Sequence, residues 1–246
     1  MDNQQNIFYT SISTHYSDIF PFNPKQLSFV TNKLNSLPDK QILDIGCATG
    51  QLAFQLAAQG ANVTGIDLNE DLLEIANESI PQPNLKFRLG NMLELEADFE
   101  AGKLDGVLCF GNTLVHLQEL HDMRKMIFAV YNLLKDGGHF MLQILNYDYI
   151  LKDKVTELPV IENEAIRFVR KYEFVEKSRL VHFKTELHLK KKKETISNET
   201  TLFALKSKEL KQLLNSEGFR NIEFFSNFNG DAFGGAHLPL VVSCQK

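Results

Sequence analysis

Cysteine is scarce in this chain of 246 residues, and the few present make no pattern. Cys47, Cys109 and Cys244 are odd in number, far apart and never in a C-x-x-C pair, which excludes a disulfide framework and leaves no thiolate zinc site to expect. A reducing cytoplasm is the expected compartment, and no metal is expected. Long apolar runs are missing as well. No stretch approaches the roughly 18 uninterrupted apolar residues of a membrane helix, and the start MDNQQN has neither region of a signal peptide, so no membrane partner and no processing are expected. Nor is there an excess of positive charge. With 26 Lys and Arg against 31 Asp and Glu the net charge is −5, which gives no general attraction to nucleic acid or anionic lipid. The one concentrated basic run, Lys190 to Lys193, reads as the solvated tip of a hairpin.

What is present is a core-forming composition, 43% hydrophobic and 23% charged, arranged in two periodicities. From Gln41 to Asn146 short apolar strands alternate with amphipathic helices, which implies parallel strands joined by helical crossovers. The strand candidates are QILDIG, NVTGID, NLKFRLG, LDGVLCFG and HFMLQILN. Among the helices, GQLAFQLAAQG puts Leu52, Ala53 and Leu56 on one face, and EDLLEIANESI does the same with Leu72, Ile75, Ala76 and Ser79. HDMRKMIFAVYNLLKDGG is predicted to stay helical up to a stop at Gly137 and Gly138. After Asn146 the period falls to two: AIRFVRKYEFVEK, RLVHFKTELHLK and ETISNETTLFAL read as a three-stranded antiparallel meander. SKELKQLLNSEG returns to helix with Ser207 as the expected N-cap, and FRNIEFFS and PLVVSCQK close with two strands. The expected class is α/β, divided into an N-terminal helical cap (1–40), a Rossmann-like domain (41–150 and 206–246) and an inserted meander (151–205). The cap is expected over the C-terminal edge of the sheet, and the meander as a lid or a homodimer surface.

The first turn, LDIGCATG, carries the most specific chemistry. Gly46 and Gly50 let a ligand approach the backbone, and the helix that follows presents free N–H groups at its start. The spacing is neither G-x-G-x-x-G nor a P-loop ending in Gly-Lys-Ser/Thr, and Asp44, just before the first glycine, would repel a phosphate. Asp67 ends the next strand, where a carboxylate can accept from both hydroxyls of a ribose. Two acids at adjoining strand ends point to a nucleoside that carries positive charge and no phosphate. S-adenosylmethionine, with its ribose, adenine, sulfonium and amino-acid tail, is such a molecule.

On these motifs the chain resembles the class I S-adenosylmethionine-dependent methyltransferases: LDIGCATG matches their glycine-rich motif, Asp67 in GIDLNEDLL their ribose acid, and LLKDGG their later turn. The resemblance implies a seven-stranded, mostly parallel sheet with the last strand antiparallel and helices on both faces. It also implies S-adenosyl-L-methionine as cofactor, S-adenosyl-L-homocysteine as product, and a small-molecule methyl acceptor. It sets Gly46, Cys47, Ala48 and Gly50 against the methionine part, Asp44 at its ammonium, Asp67 at the ribose, and Leu68 and Leu72 beside the adenine. Asn91, where the family usually has Asp, accepts from the adenine amine and is followed by the apolar Met92. In CFGNTLVHL, Phe110 and Gly111 lie beside the methyl group, Asn112 orients the acceptor and His116 assists its deprotonation. Tyr16, with Phe20, closes over the sulfonium. This segment lacks the Asn/Asp-Pro-Pro-Tyr of enzymes that methylate base amines, and no cysteine follows a proline as in the cytosine-C5 class, so nucleic acid is not the expected partner. Its G-N-T-x-x-H-L form is similar to glycine and sarcosine methyltransferases. The competing reading is a non-catalytic module that keeps the fold and the cofactor, with an RNA methyltransferase third.

Overall fold

The computed structural model describes residues 3–78, 80–175 and 178–246; Ser79 of the second amphipathic helix lies outside the described residues. The chain begins with α1 (Asn3–Ile12), α2 (Tyr16–Ile19) and α3 (Pro24–Leu34). There follow β1 (Gln41–Ile45), α4 (Gln51–Ala58), β2 (Asn62–Asp67), α5 (Glu70–Asn77), β3 (Leu85–Leu89), α6 (Leu95–Asp98), β4 (Leu104–Cys109), α7 (Leu120–Leu133) and β5 (Leu134–Leu145). After α8 (Tyr147–Lys152) come β6 (Ile161–Glu162), β7 (Ile166–Phe174), β8 (Leu180–Leu189) and β9 (Glu194–Phe203). The chain closes with α9 (Ser207–Ser216), β10 (Arg220–Phe225) and β11 (Pro239–Gln245).

One sheet has seven strands in the order β3-β2-β1-β4-β5-β11-β10. The first five are mutually parallel, and β11 runs antiparallel to both of its neighbours. Both faces are covered because apolar residues point both ways along the central strands. Ile42 and Leu108 pack with Phe29, Val30 and Leu56 of α3 and α4, whereas Leu43, Ile45 and Val107 pack with Met126, Ile127 and Val130 of α7 and Leu210 of α9. The order of connection reverses between β1 and β4, so the loops leaving those two strand ends open a crevice at the carboxyl edge of the sheet.

Two local expectations are corrected. The helix of HDMRKMIFAVYNLLKDGG stops at Leu133 rather than at the glycine pair, because the N–H groups of Gly102 and Lys103 donate to the carbonyls of Asn132 and Leu133 (2.9 and 3.0 Å) and draw the chain into β5. The pairing of β4 with β5 then jumps from Leu104–Leu134 to Gly106–His139, and Gly137 (φ 76°) takes up the excess chain. Ser207 is the first residue of α9 and not its cap. The free N–H groups there go to carboxylates instead: that of Lys206 to Glu209 (3.3 Å) and that of Ser207 to Asp148 (2.8 Å).

The second sheet, β6-β7-β8-β9, is antiparallel throughout and adds a two-residue edge strand to the three expected ones. Lys190 to Lys193 form the exposed turn between β8 and β9. One face of this sheet, with Ile166, Phe168, Leu187 and Leu189, packs on Phe8, Ile12 and Ile19 from α1 and α2. Asn198 Nδ2 donates to Ser11 Oγ at 2.7 Å, tying α1 to β9. The first forty residues therefore do two jobs: α1 and α2 join the meander to roof the crevice, while α3 packs on the far face of the main sheet.

Candidate active site

A single cavity of about 990 Å3 lies between the carboxyl edge of the main sheet and the roof of α1, α2 and the meander. Its floor is the loop after β1. The N–H groups of Gly46 and Cys47 both donate to Ile66 O (2.8 and 3.0 Å), which turns the chain sharply out of β1. Gly46 has φ 72°, and a Cβ there would stand 2.6 Å from the Thr113 side chain, so the close approach needs glycine. Ala48 holds a left-handed conformation (φ 48°), strained for a residue with a Cβ, and its N–H donates to Asp67 Oδ2 at 2.9 Å. Asp67 Oδ1 accepts from Asn69 N at 3.0 Å, so the carboxylate is fixed between two loops with lone pairs left over for two further donors. Burial raises its pKa, although these backbone bonds oppose the rise.

Asp44 is in a different state. It is 5% exposed, and no hydrogen-bond donor or cation pairs with it among the described residues. Burial first, and then the charge of Asp67, push its pKa up to about 7. A buried carboxylate without a partner costs stability, and the cost is recovered when a ligand supplies a positive charge. The two acids thus suit the two polar parts of S-adenosylmethionine that the family resemblance implies for them: the ammonium for Asp44 and the ribose hydroxyls for Asp67. The residues present fit that cofactor.

Cys47, Ala48, Leu68, Leu72, Met92, Phe110, Gly111 and Tyr16 all line the same cavity. Two of the expected contacts do not reach it. Gly50 (φ 74°) lies behind the loop with its α-carbon against the Phe87 ring, where a Cβ would come within 2.3 Å, so it shapes the turn without lining the cavity. Asn91 is spent on its own turn, its Oδ1 accepting from Leu93 N at 3.0 Å, and only its neighbours Gly90 and Met92 face the cavity.

The loop after β4 forms the second wall. Asn112 is left-handed (φ 69°); its Oδ1 accepts from Leu145 N at 2.9 Å and its Nδ2 donates to Tyr147 Oη at 3.4 Å. Its amide oxygen is therefore committed to the backbone of β5, which leaves only N–H donation for orienting an acceptor. His116 Nε2 and Tyr9 Oη are 2.9 Å apart. Burial lowers the His116 pKa to about 4, so the ring is neutral at ordinary pH, and its Nδ1 is buried without a partner among the described residues. Tyr16 and Phe20 are in tilted contact, 5.1 Å between ring centroids.

Sequence reasoning missed most of the roof: Tyr9, and Phe168, Arg170, Tyr172 and Phe183 of the meander, all of which line the cavity. The signal for part of it was available. Strict alternation in IRFVRKYEF places Arg170 on the same face as Phe168 and Tyr172.

The seven-stranded sheet has the class I S-adenosylmethionine-dependent methyltransferase fold, and the paired acids fit that cofactor. Residues 42–138 match the family described as "Methyltransferase domain". A protein of Geobacillus sp. (strain WCH70) that carries a methyltransferase name is 36% identical over 136 residues, 52% of this chain and 54% of the relative. The ubiquinone biosynthesis O-methyltransferase of Vibrio cholerae serotype O1 (strain ATCC 39541 / Classical Ogawa 395 / O395) is 31% identical over 132 residues, 53% of this chain and 52% of the relative. The chain thus spans about half the length of the curated relatives it matches. In overall shape it is similar to a solved S-adenosylmethionine-dependent methyltransferase from Clostridium acetobutylicum ATCC 824, with TM-score 0.78 at 19% identity over 97% of this chain and 98% of the other.

Proposed function

We propose that this protein transfers the methyl group of S-adenosylmethionine to a small-molecule acceptor. The observation that carries the reading is the buried Asp44 beneath the glycine loop, without a partner among the described residues, with Asp67 at the adjoining strand end in the same cavity. At about 990 Å3 the cavity is at the top of the range of roughly 300–1,000 Å3 for small-molecule sites, room for a nucleoside cofactor and a compact acceptor together. The roof of α1, α2 and the meander favours a small acceptor over a macromolecule, and the name of the Vibrio cholerae relative points the same way.

When bound, the cofactor supplies an electrophilic methyl group. The chain's task is then to hold the acceptor's lone pair in line with it and to keep water out. Phe110, Gly111 and Asn112 form the wall on which an acceptor would rest, and the neutral His116, with Tyr9 beside it, would take up an acceptor proton. Among the described residues no helix is long and apolar enough to cross a membrane.

The test is product detection by mass spectrometry with S-adenosylmethionine and a panel of amines, phenols and carboxylic acids, run in parallel with short RNA. Methylation of a panel member with stoichiometric S-adenosylhomocysteine supports the reading. Turnover with RNA alone would overturn the small-molecule part, and failure to bind the cofactor would overturn all of it.

A further inference from the structure

Arg170 is the one charged residue on the inward face of β7, set between Phe168 (0% exposed) and Tyr172 (4%) at the spacing that alternation reserves for the core. Its register partner on β8 is Thr185, and that residue's partner on β9 is Asn198. A polar row thus crosses a face that is otherwise mostly apolar, with Phe168, Leu187 and Ile196 on one side and Tyr172, Phe183 and Thr200 on the other. The row is not self-satisfied. Thr185 Oγ1 and Arg170 Nε are both buried without a hydrogen-bond partner among the described residues, and the recorded bond of the guanidinium runs from Nη2 to Pro159 O at 2.7 Å.

No carboxylate pairs with Arg170 among the described residues. The other arginines of the inserted segment, Arg167 and Arg179, pair with Glu162 and Glu209. Burial disfavours the charged form of Arg170; the Tyr172 phenol opposes this, and no carboxylate acts on it. Among the described residues the only other Lys or Arg lining the cavity is Lys25, exposed at the mouth. Charge is therefore segregated inside one cavity: two acids at the floor, where the cationic cofactor fits, and one unneutralised guanidinium in the roof beside aromatic rings. A partly buried guanidinium left without an anion is the costly arrangement that a ligand's charge corrects.

We propose that Arg170 is the anion-binding residue of the acceptor site, so that the methylated molecule is an apolar, flat-bodied anion whose carboxylate or phosphate pairs with this guanidinium. The inference rests on the reading of the cavity as a methyl-transfer site and names the acceptor's chemistry within it. A planar guanidinium binds either oxyanion through charge-assisted N–H···O bonds, while Phe168, Tyr172 and Phe183 cover the acceptor's apolar body.

The test is calorimetry on the full chain with three probes of one shape, benzoate, phenyl phosphate and benzamide, in the presence and absence of S-adenosylhomocysteine. The wild type is expected to bind at least one anion at least about tenfold more tightly than benzamide. Which anion is the tighter identifies the group carried by the acceptor. Arg170→Met should reduce that preference to within about twofold, Arg170→Lys should keep part of it, and both should bind S-adenosylhomocysteine as the wild type does. If Arg170 only held the Pro159 segment in place, its loss would change stability and leave the ratio of anion to amide unmoved. The inference is overturned if benzamide binds as tightly as both anions, if neither anion binds at about 10 mM, or if Arg170→Met keeps the preference. Failure of S-adenosylhomocysteine to bind would instead overturn the methyl-donor reading, and the anion preference can be read without it.

Discussion

Replacing Asp44 by Asn should make the empty protein more stable and the cofactor complex weaker, two effects of opposite sign from one residue. The Asp44 pKa rises from 3.8 to about 7 in the fold, because burial and then the neighbouring Asp67 charge disfavour ionisation. Between those values the folded protein keeps a proton that the unfolded chain has released, so this residue's contribution to stability is greatest below pH ~4 and is lost as the pH rises to ~7. Three units at 1.36 kcal/mol each put the loss at about 4 kcal/mol, a ceiling because part of the shift belongs to Asp67. Asn at this position never ionises. Urea unfolding of the two proteins from about pH 5 to pH 8 should therefore show the Asn variant gaining on the wild type as the pH rises, by up to about 3 kcal/mol, the part of the loss that falls above pH ~5. Calorimetry at about pH 8 should show S-adenosylhomocysteine, which keeps the ammonium, bound more weakly by about 2–5 kcal/mol, roughly 30-fold or more. A difference in stability that does not vary with pH, or a variant within about threefold of wild-type affinity, would refute the reasoning.

Asp67→Ala should weaken S-adenosylhomocysteine at least about tenfold in the same titration, because it removes the acceptor for the ribose and releases the N–H groups of Ala48 and Asn69. Gly50→Ala puts a Cβ 2.3 Å from the Phe87 ring at a φ of +74° and should cost about 1–3 kcal/mol in urea unfolding, without touching a cavity-lining side chain. His116 is held neutral by burial, its pKa lowered to about 4, so it favours the folded state above pH ~6.5 and loses that contribution as the pH falls toward ~4. With an acceptor in hand and the cofactor saturating, kcat/KM for the acceptor should show no His116 limb near pH 6.5, whereas a limb there that vanishes in His116→Gln would contradict the neutral ring. Tyr9→Phe should lower kcat without changing S-adenosylhomocysteine affinity, measured by steady-state kinetics beside calorimetry.

The legible half of the site is the half built from one continuous stretch. Asp44, the glycine loop and Asp67 follow one another within β1, α4 and β2, so local spacing determines where they meet. The strands around them were readable because a parallel sheet covered on both faces demands short apolar runs of this kind. The roof was legible only in outline: the cap was placed over the sheet edge, but Tyr9 and Arg170 come to the cavity through the packing of α1 on the meander, a long-range contact that local sequence does not encode. The corrections at Asn91 and Ser207 have one cause: short polar side chains satisfy whichever backbone group the tertiary structure leaves open. Asn91 took the N–H of Leu93, and the first N–H of α9 was taken by Asp148, 59 positions away. The end of α7 was misplaced for a similar reason, its last carbonyls being claimed by Gly102 and Lys103 before the glycine pair was reached.

The most direct test of the central claim is a crystal structure of the protein with S-adenosylhomocysteine. The account predicts density in the cavity between β1 and β4, with the ammonium at Asp44 and the ribose hydroxyls at Asp67. Density that leaves Asp44 without a cation, or a cofactor bound anywhere outside this cavity, would contradict it.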